Sequence, residues 1–359
     1  MSFAFDRRRF LQTAAALAAS PYATALRAQQ PVPIADMHSH YGMIKRRGLE
    51  SGLADEMRSQ RVALVAWKHV ADGPWIRSTS TGIEQAREPG PGQLLTHFNN
   101  AMGRMKAYIA QHRLRTVLTP ADVEACVAGD AGIVLSSEGA DFLEGKVENL
   151  DGAYAQGLRH LQLVHYIRTP VGDFQTVAPT HNGLSPMGKQ LVEACNAKGI
   201  LVDLAHSTAA SVDQALEIAK APLIWSHSWV DETGGNWHDR YGYQRRRLSL
   251  AQAKKIADRG GVVGIWGLGM SRPAPDWPLA RGDTRGYARQ IALLVDKIGA
   301  DHVGFGTDIE GVGDYPTVNS YTDLRNVVEH LQAMKLETSV IERVACGNYA
   351  RVLKAVLKA

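Results

Sequence analysis

Ile34-Ala35-Asp36-Met37-His38-Ser39-His40 begins apolar and ends on two histidines spaced two apart. In an extended strand, side chains alternate between faces, so His38 and His40 point the same way. Two imidazoles on one face can hold a divalent ion, but this pattern alone is a weak sign. What decides the fold is that the pattern recurs. Short runs rich in Val, Ile and Leu fall at 33–39, 61–67, 132–137, 159–165, 200–205, 222–226, 261–266 and 302–307. Strands covered on both faces read this way. Helical patterns lie between them, at 92–112, 185–198, 209–219, 249–258, 284–298 and 323–333, and a last one at 339–357. Alternation of this kind predicts an α/β fold, a (β/α)8 TIM barrel.

The polar residues cluster where those runs end. The third run ends at Glu138, the fourth at His165, the fifth at His206, the sixth at His227 and the eighth at Asp308. In a barrel the C-terminal strand ends meet at one mouth, where active sites are built. Residues 270 positions apart, from His38 to Asp308, are therefore expected to converge. Burying so many imidazoles and carboxylates together is costly without a cation. With no thiolate motif, the donors favour zinc or a similar divalent ion in a catalytic site. Two ions explain the number of donors better than one. A bridging Glu138 would let His38 and His40 hold one ion and His206 and His227 the other. Asp308 would orient a shared hydroxide and pass its proton to the leaving amine, and His165 would stabilise the oxyanion.

These residues sit in stretches that resemble the membrane (renal) dipeptidases, peptidase family M19 of the amidohydrolase superfamily. The matching stretches are Asp36-Met37-His38, Ser137-Glu138-Gly139, Leu163-Val164-His165-Tyr166, Asn182-Gly183-Leu184-Ser185, Val202 to Ser207, Ser226-His227-Ser228, His302 to Asp308 and Gly347 to Val352. The resemblance implies two zinc ions and the ligand set above, with His165 near the scissile carbonyl and Asp308 on the bridging water. It also implies an arginine after the sixth strand that grips the substrate carboxylate. Arg246 fits best, with Arg245 and Arg247 beside it. This chain departs from the family at His40, where the family has Asp. A neutral ligand there leaves the ions less neutralised and the water more acidic.

The implied activity is zinc-dependent hydrolysis of dipeptides, with tolerance of a D-residue at the C-terminal position as an extension. One alternative keeps the site and opens a lactone, a β-lactam or another small amide. Another is an exported metal- or peptide-binding protein without catalysis, against which Glu138, His165 and Asp308 argue.

The flanking features concern placement in the cell. Asp6-Arg7-Arg8-Arg9-Phe10-Leu11, an alanine-rich run and small residues to Ala28 resemble a twin-arginine signal. The expected organisation is a signal over residues 1–28 and one barrel domain over 29–359. The protein would be exported by the twin-arginine machinery to the periplasm or beyond, with no stable membrane anchor. Removing the signal takes the formal charge from +4 to +1. That balance offers no footprint for nucleic acid. The expected partners are a dipeptide-like small molecule and the export machinery, with a homodimer left open. Three scattered cysteines, Cys126, Cys195 and Cys346, are expected to be buried thiols. The Gly-, Pro- and Ser-rich stretch 69–91 is expected to be a long loop over the mouth, as are 228–247 and 267–283.

Overall fold

A ring of parallel strands carries every predicted ligand. The computed structural model describes residues 31–44, 52–275 and 277–359. The expected export signal lies outside the described residues. The barrel strands are β1 Ile34–Ser39, β2 Val62–Val70, β3 Gly132–Glu138, β4 His160–Gln162, β5 Leu201–Asp203, β6 Ile224–Ser228, β7 Val262–Trp266 and β8 Val303–Gly306. Their order around the sheet follows the chain, and pairing of β2 with β3 closes the ring. That register runs from Leu64 opposite Gly132 to Val70 opposite Glu138. The strands are buried along almost their whole length, which is why their sequences are apolar runs rather than alternating ones.

The ring is wrapped by α1 Leu53–Ser59, α2 Gln93–Gln111, α3 Pro120–Ala128, α4 Asn149–Ala155, α5 Pro186–Lys198, α6 Ala209–Ile218, α7 Leu250–Asp258, α8 Thr284–Ile298, α9 Tyr321–Ala333 and α10 Asn348–Val356. Helix starts are written into the sequence. Ser185, Thr208, Ser249, Asp283 and Ser320 each accept a backbone N–H of the first turn of α5 to α9. Thr119 and Asp122 form a reciprocal capping box at α3. Such caps each stabilise a helix by about 1 kcal/mol.

The structure differs from the sequence reading in three places. The stretch 69–91 is not a plain loop, because Ile76–Thr79 pairs antiparallel with Gly82–Gln85 as a hairpin. The tip of this hairpin reaches the loop after β6, where the Gly242 N–H donates to the Thr81 carbonyl at 2.5 Å. A Cβ on Gly242 would stand 3.0 Å from the Gly82 Cα, so this approach depends on both glycines. The run expected as a strand over 159–165 is extended only over His160–Gln162, and its last residues leave the ladder to bring His165 to the mouth. The final helix is interrupted by a π-turn over Arg343–Gly347. There Asn348 turns inward and donates to the Ala300 and Val303 carbonyls, at 2.7 and 2.9 Å. The three thiols are buried and unpaired.

A polar group spans the barrel interior on the N-terminal side of the mouth histidines. Lys68 of β2 donates to Asp203 of β5 at 2.5 Å, and His160 of β4 lies 3.3 Å from the same carboxylate oxygen. The other Asp203 oxygen accepts the backbone N–H groups of Ala205 and Ser226. Burial favours the neutral acid, but Lys68 and His160 together outweigh it and hold the carboxyl well below the usual range.

Candidate metal centre

Glu138, the last residue of β3, is the point on which the histidines converge. Its Oε1 lies 3.3 Å from His38 Nε2, 3.3 Å from His206 Nε2 and 3.8 Å from His227 Nε2. Its Oε2 lies 3.0 Å from His40 Nε2 and 3.4 Å from His165 Nε2. All six side chains are buried. The next residue, Gly139, turns the chain at φ +95, and a Cβ there would strike the Asp141 carboxylate at 2.1 Å. Two overlapping sets, His38–His40–Glu138 and Glu138–His206–His227, each bring three donor atoms within 4.8 Å of one another.

The outer ring nitrogens explain why the inner ones are free to bind. His40 Nδ1 lies 2.9 Å from the Lys68 carbonyl. A carbonyl only accepts, so His40 Nδ1 carries a proton, which leaves Nε2, facing Glu138, as the ring atom available to a metal. Ser226 Oγ lies 2.9 Å from His38 Nδ1 and 3.0 Å from His227 Nδ1. One hydroxyl therefore sits behind one histidine of each set.

His38 and His40 bring their Nε2 atoms to 3.0 Å, a contact that needs one proton between them. Burial disfavours charge on both rings. For His38 burial prevails and its pKa falls to about 4, whereas Glu138 and Asp308 raise that of His40 to about 10. Burial and the neighbouring cations push His206 and His227 well below the ordinary imidazole value. The Glu138 carboxyl is held well below the usual range, since its ring of imidazoles outweighs burial. Imidazole nitrogens around a shared carboxylate, with no thiolate, suit a borderline divalent ion such as zinc.

Asp308 and His165 flank this cluster. Asp308 follows β8 in a left-handed conformation, φ +54, with its N–H on the His38 carbonyl at 2.9 Å. Its Oδ2 accepts the Trp266 indole N–H at 2.8 Å. Its Oδ1 has no hydrogen bond and stands 3.3 Å from His40 Nε2. His165 directs Nδ1 at Asp72 Oδ1, 2.6 Å away, while Asp72 Oδ2 accepts the Tyr166 N–H at 2.9 Å. Burial opposes charge on His165, but Asp72 and Glu138 outweigh it and raise its pKa. A ring biased in this way donates from Nε2, as a developing oxyanion requires.

Arg246 is buried against the second histidine set. Its guanidinium lies 2.7 Å from His206 Nε2, 3.2 Å from His227 Nε2 and 3.3 Å from Gln175 Oε1. Guanidinium only donates, so both rings present Nε2 lone pairs here. Those lone pairs cannot serve Arg246 and a metal ion at once. Arg245 and Arg247 are engaged elsewhere, with the Asp239 carbonyl and with the Asp231 carboxylate.

The sequence reading missed three contributors. Asp72 fell in the stretch read as a loop, Trp266 was only the last residue of an apolar run, and Ser226 was only the neighbour of a histidine. An Asp just past a strand end was the one available signal. A cavity of about 520 Å³ opens above Glu138. It is walled by Met43, Val70, Ile76 and Ile83 and roofed by the hairpin.

A model of the membrane dipeptidase family, peptidase family M19, matches residues 56–359. The match begins after β1, so His38 and His40 lie outside it. A protein from the pqqA 5′ region of Klebsiella pneumoniae is 28% identical over 279 residues, 74% of this chain and 98% of that protein. Dipeptidase tcpJ of Claviceps purpurea is 25% identical over 231 residues, 64% of this chain and 52% of its own length. The chain thus spans about half the length of that dipeptidase. Among solved structures, a metallo peptidase from Rhodobacter sphaeroides, liganded with a phosphinate mimic of the dipeptide L-Ala-D-Ala, shares the fold. Its TM-score is 0.74 at 21% identity, covering 91% of this chain and 100% of that one.

Proposed function

The chain belongs to the membrane dipeptidase family, and from that premise we propose that it hydrolyses the peptide bond of dipeptides with two divalent ions, zinc for preference. The observation that carries the reading is the convergence of His38, His40, His206 and His227 on Glu138 as two overlapping donor sets. His38, His40 and Glu138 would hold one ion, and Glu138, His206 and His227 the other. When bound, the ions supply Lewis acidity that lowers the pKa of water at the site.

The remaining chemistry belongs to the chain. Asp308 Oδ1, without a hydrogen bond of its own, takes the proton of the attacking water and returns it to the leaving amine. Trp266 keeps the other oxygen from turning in. His165, held by Asp72, donates to the carbonyl oxygen as it gains charge. Arg246 takes the substrate α-carboxylate by two parallel hydrogen bonds, which requires its guanidinium to leave the two rings it now touches. Tolerance of a D-residue at the C-terminal position is part of the proposal, prompted by the L-Ala-D-Ala mimic in the Rhodobacter sphaeroides neighbour.

Asp308→Asn tests the reading. The amide keeps the shape but cannot take the proton, so kcat is expected to fall about 10² to 10⁴-fold with bound metal unchanged. Wild-type rates in Asp308→Asn would refute it. The twin-arginine-like stretch within 1–28 supports a second proposal, export to the periplasm or beyond. Cell fractionation of the protein with and without Arg7 and Arg8 changed to Lys tests that.

A further inference from the structure

The cavity has an arm that the proposed chemistry does not use. Its floor is His69, at the end of β2, which is buried and lines the cavity. His69 Nε2 is buried with no hydrogen-bond partner. A buried polar atom in that state costs about 1–3 kcal/mol, so it calls for a ligand. The His97 ring of α2 lies 4.6 Å from the His69 ring, with its Nε2 on the Val70 carbonyl at 3.3 Å. Arg104 follows His97 by seven positions, two helical turns along the same face of α2, and also lines the cavity. No acid among the described residues pairs with Arg104, whereas nearby Arg77 is held by Glu84 at 2.7 Å. Val70, Ile76 and Ile83 line the same cavity and give it apolar surface. The arm therefore offers apolar contact together with the unpartnered His69 Nε2 and the Arg104 guanidinium.

Barrel geometry says which part of a dipeptide would enter it. The strands are ordered β1 to β8 around the ring, so β2 lies diametrically opposite β6. Arg246, which would take the α-carboxylate, follows β6. Glu310, whose carboxylate suits a free amino group, follows β8 and also lines the cavity. A dipeptide with its carboxylate on the β6 side and its amine toward β8 presents its N-terminal side chain to the β2 side.

We infer that the arm bounded by His69, His97 and Arg104 receives the side chain of the substrate's N-terminal residue and selects an acidic one, so that the substrates are glutamyl or aspartyl dipeptides. This rests on the dipeptidase reading. The carboxylate meets the Arg104 guanidinium and a His69 N–H, and its methylene stem lies along Val70, Ile76 and Ile83.

The test compares L-Glu-L-Ala, L-Gln-L-Ala and L-Lys-L-Ala with metal-reconstituted wild type and Arg104→Glu. Arg104 is exposed on α2, so the exchange does not disturb the core. Wild type is expected to favour the glutamyl over the glutaminyl substrate about tenfold in kcat/KM, the factor for one charge-assisted hydrogen bond. In R104E the glutamyl-to-lysyl ratio falls by at least about tenfold, because attraction for the carboxylate becomes repulsion. A wild-type preference for the glutaminyl or lysyl substrate, or the same glutamyl-to-lysyl ratio in both proteins, overturns the inference. If no dipeptide is turned over, the dipeptidase reading fails, and calorimetric binding of L-Glu-L-Ala against L-Lys-L-Ala to the two proteins still decides the arm. Tighter glutamyl binding that is lost in R104E supports it, and equal binding overturns it.

Discussion

Ser226 is the residue whose work is least visible in its sequence and plainest in its contacts. Its Oγ has two lone pairs, and two ring nitrogens lie 2.9 and 3.0 Å away, one from each donor set. If His38 and His227 bind metal through Nε2, both Nδ1 atoms carry protons and both donate to this hydroxyl. Ser226→Ala leaves two buried donors without an acceptor. Metal affinity is expected to fall about 10 to 100-fold, as for other groups behind metal-bound histidines. Competition with a chelator measures this, and an unchanged affinity would remove Ser226 from the account. The inner donors were legible because each ended an apolar run in His, Glu or Asp. Ser226, Asp72 and Trp266 were not, because they act through a second residue and carry no spacing of their own. His69 was hidden for another reason: it stands at the end of a strand whose apolar run seemed to finish at residue 67.

At the scale of elements, the polar group inside the barrel and the hairpin above the mouth both carry predictions. Lys68, Asp203 and His160 come from β2, β5 and β4, and no local pattern announces that they meet. Lys68→Met removes the cation and leaves the carboxylate buried, which is expected to cost about 3–5 kcal/mol in denaturant unfolding. The pH dependence has a definite sign. The folded Asp203 carboxyl is held below its unfolded value of 3.8, so its contribution is present above that pH and is lost as the pH falls below it. The variant should lose much of this acid dependence. An unchanged acid limb would mean that Asp203 is held by its backbone donors alone.

The hairpin was read as a loop because its strands are four residues each and carry Arg, Ser, Thr and Glu, with Ile76 and Ile83 as their apolar residues. Its contact with the loop after β6 limits the height of the cavity. Gly242→Val pushes the tip away and is expected to raise KM for dipeptides while improving the rate on tripeptides relative to them. A steady-state comparison of the two substrate lengths reads this directly, and an unchanged ratio would show that the hairpin does not limit length.

Across the whole molecule, the barrel was legible because strands buried on both faces must be apolar runs, and all eight runs became strands. Its mouth gathers at least five buried imidazoles around Glu138, an arrangement that costs stability until a cation satisfies the lone pairs. Metal that binds only the folded chain should therefore stabilise it, by about 4 kcal/mol at a thousandfold excess over Kd. Thermal unfolding with zinc should then lie well above unfolding with a chelator, and coincident transitions would count against the site.

Titrating metal-free protein with zinc while following dipeptide hydrolysis tests whether two ions held by one shared carboxylate make this barrel a dipeptidase. Activity is expected to rise with added zinc and to reach its plateau at two ions per chain. Full activity in the metal-free protein, or a plateau at one ion per chain, would contradict it.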